Sequence, residues 1–381
     1  MMNKLKLTDR EWGEFFIGDI FSIKIGKSID GNKVDRVNGQ FAYITRKENT
    51  NGLDGFIDYD ISYLNKDFPV ITIGNETAEP FVQEFPFFTG TKVNILKPKE
   101  QLNRYVLFFI CSSLKMHKTK YSYSFTINST RLKKQNILLP INNQGNPDWQ
   151  FMEDYIKQIE QKQKTDLINY YSNKLLEIIS DTNYQDVQWD IFKISDFFNF
   201  MRGNQNNMAK CEKGDIPLIS ARKVDNGYKD FIADNGKRLF PAHIITLNND
   251  GDGGVGLAYY QSTQTALDTH VTALLPKINL TKSAMLYICL MISIQRDKFS
   301  HGYSINNERL SAQKIMLPID NNSNPNWQFM EDFIKNIEKD KIETLLSYLN
   351  QYNILAEPSR AEPSRAEPSR AEPSRNIMGD I

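Results

Sequence analysis

Little in this chain invites a redox, metal or covalent-catalytic reading. Of its 381 residues, three are cysteine (Cys111, Cys211, Cys289) and four are histidine (His117, His243, His270, His301). The cysteines are odd in number and unclustered, so no disulfide framework or zinc spacing emerges, and a reducing cytoplasm is expected. The histidines have no metal-ligand spacing. Excess charge is absent as well: 46 Lys and Arg balance 46 Asp and Glu. That excludes a generally basic nucleic-acid coat but leaves room for local basic faces. The longest apolar run, Ala284 to Ile294, is about half of what a bilayer span needs, so no membrane association is expected. The opening MMNKLKLTDREW lacks the apolar core of a signal peptide. P-loop, nucleophile elbow and methyltransferase motifs (glycine-rich or Asn-Pro-Pro-aromatic) are missing too, and the chain reads as non-catalytic.

What is present is a duplication. NPDWQFMEDYIKQIE at 146–160 returns as NPNWQFMEDFIKNIE at 324–338. Asn128, Arg131, Pro140 and Trp149 recur 178 positions later as Asn306, Arg309, Pro318 and Trp327. Trp12, Phe15, Ile17, Asp19 and Gly26 recur 177 positions later as Trp189, Phe192, Ile194, Asp196 and Gly203. Units of this size exceed the roughly 20–50 residues of a solenoid repeat, so they are two duplicated domains. One job done at two places is implied.

Each unit opens on an aromatic segment of helical or mixed spacing, WGEFFIGDIF or WDIFKISDFF. Strand-like runs follow, FAYITR, FPVITIG and KVNIL, then IPLISAR, AHIITLN and HVTALL. An apolar helix (YVLFFICSSL, AMLYICLMIS), a polar aromatic loop (YSYSFTINSTR, FSHGYSINNER) and a last strand ending ILLP or IMLP complete the globular part. Then comes a long amphipathic helix in each unit, with apolar residues at Phe151, Ile156, Ile159, Leu167, Tyr170, Tyr171, Leu175 and Ile178 in the first. In the second they fall at Phe329, Phe333, Ile334, Ile337, Ile342, Leu345, Leu346 and Leu349. Two such stripes are expected to bury each other as an antiparallel coiled-coil spacer. The fold class is therefore α+β, with two similar domains, each a twisted sheet with helices, joined by two long helices. The boundaries expected are 1–147, 148–183 (helix), 184–325, 326–352 (helix) and 353–381. The last segment carries four AEPSR copies at 356–375, whose regular prolines exclude a helix.

Several motifs imitate chemistry. Pro147–Asp148 with Glu160 mimics a magnesium nuclease, but Asn326 stands at the equivalent of Asp148. Gly251, Gly253 and Gly256 satisfy a dinucleotide fingerprint, yet strand-like LAYYQ follows where a helix is required. Asn248, Asp250 and Asp252 begin like a calcium loop whose twelfth position is Tyr259, not Glu. A hairpin turn over 248–256 accounts for both.

The polar loops are the better functional candidates. Tyr123, Ser124, Asn128 and Arg131 in the first unit correspond to His301, Tyr303, Asn306 and Arg309 in the second. A further cluster, Thr45, Arg46, Lys47 and Asn49, is matched to Ser220, Arg222, Lys223 and Asn226. Basic residues of this kind clamp phosphates, while Asn, Ser, His and Tyr can read base edges.

The segment order, with IPLISARKVDNG, HIITLNND, KFSHGYSINNERL and LPIDNNSNPNWQFMEDFIK, resembles the specificity (S) subunits of type I restriction–modification systems. It is also similar to the S-like subunit of type IIB systems. The resemblance spans residues 12 to about 350. It implies two target recognition domains, each reading half of a bipartite double-stranded DNA site, on helices that set the spacing. Those helices would dock modification (methyltransferase) subunits, with Phe151, Ile156, Ile159, Phe329, Ile334 and Ile337 as the partner-facing set, and a restriction subunit where the system cuts. S-adenosylmethionine and magnesium would belong to the partners, none to this chain. The readings left beside it are a nuclease using Asp148 and Glu160, and a scaffold binding a duplicated protein partner through the helix stripes.

Overall fold

The computed structural model describes residues 4–121, 126–178, 187–250, 254–299 and 304–355, with side chains to 351. Two compact units divide it at Leu167/Ile168. The elements of the first are β1 (Glu11–Phe16), α1 (Ile17–Ile20), β2 (Phe21–Ile25), β3 (Phe41–Ile44), β4 (Leu53–Ile57), β5 (Val70–Gly74), β6 (Pro80–Gln83), β7 (Phe87–Thr89), β8 (Val93–Pro98), α2 (Arg104–Lys115), α3 (Ser129–Lys133), β9 (Asn136–Ile141) and α4 (Trp149–Glu177), whose last turns fall in the second unit. The second continues with β10 (Trp189–Lys193), α5 (Ile194–Phe197), β11 (Phe198–Arg202), β12 (Lys213–Ile219), β13 (Tyr228–Ile232), β14 (Leu239–Phe240), β15 (Ile244–Asn248), β16 (Ala258–Gln261), β17 (Thr265–Leu267), β18 (Val271–Pro276), α6 (Lys282–Ser293), α7 (Asn307–Ala312), β19 (Lys314–Pro318) and α8 (Trp327–Leu355).

The units repeat one topology. A four-stranded sheet of order β2-β8-β5-β6 matches β11-β18-β15-β16, and a second sheet of order β4-β3-β7 matches β13-β12-β17, which β14 extends. β1 pairs antiparallel with β9 and sets Trp12 opposite Pro140. β10 does the same with β19, setting Trp189 opposite Pro318. The opening segments, whose spacing reads as helical or mixed, are each a strand, one helical turn and a second strand. The first strand of each pairs more than a hundred residues downstream and the second about 70–80 residues downstream, so local periodicity carries no trace of the pairing.

Each core lies between the four-stranded sheet, the apolar helix and the first turns of the long helix. In the first unit Ile17, Phe21, Leu96, Leu107, Ile110, Leu132, Leu139 and Met152 are buried together. Ile194, Phe198, Leu274, Met285, Ile288, Leu310, Leu317 and Met330 do the same in the second. Asp148 and Asn326 occupy one role, each accepting the amide three residues on (Phe151, Phe329) at 3.0 Å to cap its long helix.

Three expectations about these helices change. Phe151 is 3% and Phe329 8% exposed, so these two serve the domain interior and are not offered to a partner, while half-buried Ile156 and Ile334 pack partly on their own units' cores. Ile159 is half-buried and Ile337 exposed. Leu167 and Tyr170 are exposed, whereas Ile168, Tyr171, Leu175 and Ile178 are half-buried. Leu167 and Tyr170 therefore leave the expected stripe and Ile168 joins it, while Tyr171, Leu175 and Ile178 keep their places, because each residue turns the face by about 100°. In α8, Ile342 and Leu349 are buried as the spacing requires, and within the second unit Lys174 of α4 ion-pairs with Glu338 of α8. α8 continues to Leu355, past the expected end at 352. The AEPSR segment lies outside the described residues.

Candidate nucleic-acid interface

Three stretches of each unit meet at one end of its sheets. The first is the β3–β4 hairpin, β12–β13 in the second unit. Its tip residue, Asn51 or Asn226, sits in the left-handed region at φ 56° or 53°, which Asn tolerates because its short side chain bonds locally. Asn51 Nδ2 donates to the Val82 carbonyl (3.1 Å), and Asn226 Nδ2 to that of Tyr260 (3.0 Å). In return Gln83 Nε2 donates to the Asn51 carbonyl and Thr72 Oγ1, both at 3.0 Å. Gln261 Nε2 repeats this with Asn226 (3.2 Å) and Thr246 (3.0 Å). Both glutamines are buried, where an unpaired amide would cost about 1–3 kcal/mol, so satisfaction at both copies fixes the hairpin to the sheet.

The second stretch follows β5 or β15, and the third is the polar loop. They are joined by Ile127 N–H donating to the Asn75 carbonyl (2.9 Å) and Ile305 N–H to that of Asn249 (2.8 Å). Asn128 Oδ1 accepts the Arg131 amide at 2.9 Å, and Asn306 Oδ1 the Arg309 amide at 2.8 Å, each capping a short helix. The Arg131 guanidinium donates to the Thr126 carbonyl and that of Arg309 to Ser304. These four residues, expected to contact DNA directly, are built into the base of the loop. The signal was in the sequence, since Asn just before a short helical run is a start signal. Tyr123, Ser124, His301 and Tyr303 lie outside the described residues.

The hairpin register also corrects a pairing between copies. Thr45 N–H donates to the Gly52 carbonyl (2.8 Å) and Ser220 N–H to that of Gly227 (2.9 Å). Ala221 therefore stands at the place of Arg46, Arg222 at that of Lys47, and Asn226 answers Asn51, not Asn49. Arg46 ion-pairs with Glu76. Lys47 reaches Asp54 at 2.5 Å, and Arg36 reaches the same carboxylate at 2.9 Å. Arg222 donates to the Tyr228 carbonyl (2.5 Å) and Asp225 (2.9 Å), while Lys223 is exposed.

Behind the first polar loop, nearly buried Glu79 binds Lys115 at 2.5 Å and Lys118 at 2.9 Å. Lys118 also reaches Glu48 at 3.2 Å. Burial pushes the Glu79 carboxyl up, but the two lysine hydrogen bonds outweigh it and hold the group below its ordinary value. A depressed carboxyl stabilises the fold above its unfolded pKa and loses that contribution as pH falls through the folded value. Urea titrations between pH 6 and 3 should therefore show Glu79→Gln with a shallower acid loss than wild type; parallel curves would remove Glu79 from the anchor. In the second unit Ser293 stands at the place of Lys115, its Oγ accepting the Ala258 N–H at 3.0 Å.

The catalytic imitations resolve plainly. Asp148 is a helix cap that also binds Arg10 at 2.8 Å. Glu160 lies twelve residues on, roughly 18 Å along the helix, so the two cannot share a metal. Among the described residues no group of three His, Cys, Asp or Glu could hold a metal ion, and no helix is long and apolar enough to cross a membrane. β15 and β16 form an antiparallel hairpin around 248–256, as the sequence suggested.

Comparison with known proteins agrees with this architecture. The family described as "Type I restriction modification DNA specificity domain" matches residues 9–170 and again 186–347. The chain is 36% identical over 330 residues to the specificity subunit S.BcgI of a type II restriction enzyme from Heyndrickxia coagulans, covering 86% of this chain and 95% of that one. Among solved structures it is similar to the type I S subunit from M. genitalium (16% identity, TM-score 0.49, covering 93% of this chain and 97% of that one). It is also similar to the HsdS subunit from Thermoanaerobacter tengcongensis (12%, TM-score 0.31, covering 91% and 92%). Twice matched by the family and closely covered by a curated relative, the chain belongs to the type I restriction–modification DNA specificity family and is a specificity subunit of a restriction–modification system.

Proposed function

We propose that each unit reads one half of a bipartite duplex target, that the long helices set the distance between the halves, and that the chain itself catalyses nothing. The chemistry falls to methyltransferase subunits carrying S-adenosylmethionine, which dock on the helices, and to a restriction subunit where the system cuts. The observation that carries the reading is the pair of equivalent loop clusters, fastened by the same buried amides yet differing in rim charge: a shared frame with different readers. Arg46, Lys47, Arg222 and Lys223 are the surface cations for phosphates and base edges. Asn128, Arg131, Asn306 and Arg309 act by fixing the base of each polar loop, and Tyr123, Ser124, His301 and Tyr303 are the base-reading residues.

The test is salt-dependent binding by the assembled complex. With about 6–10 phosphate contacts, affinity for the target duplex should fall about 10³- to 10⁵-fold between 50 and 200 mM salt. A complex whose affinity ignores salt, or that binds no duplex, removes this reading and favours a protein scaffold.

A further inference from the structure

The two loop clusters enclose concavities of about 540 Å³ in the first unit and about 500 Å³ in the second. Strand register makes their walls comparable position by position. β3 runs parallel to β7, with Ile44 beside Thr89, and β12 parallel to β17, with Ile219 beside Leu267. Gly90 N–H donates to the Ile44 carbonyl at 2.8 Å and Asp268 N–H to the Ile219 carbonyl at 3.0 Å. Gly90 and Asp268 are therefore the same floor position. By the hairpin register, Arg46 answers Ala221 and Asp54 answers Lys229.

The two walls thus differ at three equivalent places: an acceptor is gained at Asp268, a donor is lost at Ala221, and an acceptor gives way to a donor at Lys229. The first concavity presents Arg36, Arg46 and Lys47 paired with the carboxylates of Asp54 and Glu76, with Asp30 beside them and a glycine floor under the Tyr43 hydroxyl; a Cβ at Gly90 would lie 3.0 Å from that oxygen. The second presents Asp250, Asp268 and His270, with Lys229. Asp268 is 3% exposed and is held by backbone amides, those of His270 (2.8 Å) and Ala221. A buried carboxylate held this way is costly and fixed in orientation, as an acceptor for recognition should be. Burial pushes its carboxyl above the ordinary range, against the His270 and Ala221 amides. Asp250 Oδ1 meets His270 Nδ1 at 2.5 Å and orients the imidazole on the same wall.

Building on the proposed reading of DNA by both units, we infer that the second concavity accepts a base edge bearing an exocyclic amino group, cytosine N4 or adenine N6, with Asp268 as the acceptor. A carboxylate repels phosphate and bases that show only acceptors, so it discriminates more than it attracts.

The experiment uses the full chain assembled with its methyltransferase partner. Methylated positions are mapped for wild type, Asp268→Asn, Asp250→Asn on the same wall, and Arg46→Ala in the other unit. Asp268→Asn should relax one base position in one half-site, Asp250→Asn should alter that same half, and Arg46→Ala only the opposite half. In binding assays, a base analogue lacking the amino group at that position should weaken wild type about 5- to 150-fold and leave Asp268→Asn nearly indifferent. Should Asp268→Asn fail to fold, Asp250→Asn and the analogue series on wild type decide. An unchanged motif in folded variants, altered bases in both halves, or no analogue effect on wild type overturns the inference while the two-part reading stands. A wild-type motif that is not bipartite overturns that reading itself.

Discussion

Leu310→Ala is expected to cost about 2–5 kcal/mol, the range for emptying a filled core site. Leu310 is fully buried, the one buried residue of α7, and lies in the second unit's main core. Its helix is only six residues long, far below the length at which a helix persists alone. Docking by this side chain, the Asn306 cap and the Arg309 bond to Ser304 are what hold the helix in place. Losing the leucine should therefore release the base of the polar loop as well, and affinity for one half-site should fall with stability. Urea unfolding together with binding to duplexes altered in either half separates the two effects. A stability loss under 1 kcal/mol would show that α7 does not depend on that anchor.

Gly203→Ala is the second large effect, and its size should depend on which copy is changed. A Cβ at Gly203 would lie 2.1 Å from the Asp268 carbonyl oxygen and 2.5 Å from that of Leu267. Both are main-chain atoms held in strand pairing, so no rotamer change relieves the clash. Overpacking of this kind costs about 1–3 kcal/mol and more where the backbone must move. At Gly26, the equivalent in the first unit, the three nearest atoms all belong to the Thr89 side chain, Oγ1 at 2.3, Cγ2 at 2.7 and Cβ at 2.9 Å, so a threonine must shift rather than two paired main-chain carbonyls. Denaturation midpoints should rank Gly203→Ala as the more damaging change; equal losses would mean the close approach beside Asp268 is softer than its geometry implies.

How much of this was readable in the sequence varies with how local the cause is. The long helices were legible because a capping Asp or Asn, an aromatic first turn and a recurring apolar stripe all lie within one segment. The duplication was legible for the same reason, and its register survives in the pairing of Trp12 with Pro140 and of Trp189 with Pro318. The opening strands were not, since β1 and β10 owe their form to partners far downstream. Matching Arg46 to Arg222 failed by one residue: two Arg-Lys dipeptides look alike, whereas the backbone counts from Thr45 and Ser220. For Asn128 and Arg131 the composition misled, because the groups that suit a nucleic acid also suit a helix cap and a carbonyl clasp. Gly90 and Asp268 drew no notice, as their correspondence exists only once parallel strands are laid side by side.

The buried amides of Gln83 and Gln261 carry one more implication. Each fastens its hairpin by gripping a main-chain oxygen, and a grip on the main chain is blind to the identity of the side chains around it. The rim can then be rewritten residue by residue, even to opposite charge, while the joint beneath it stays closed.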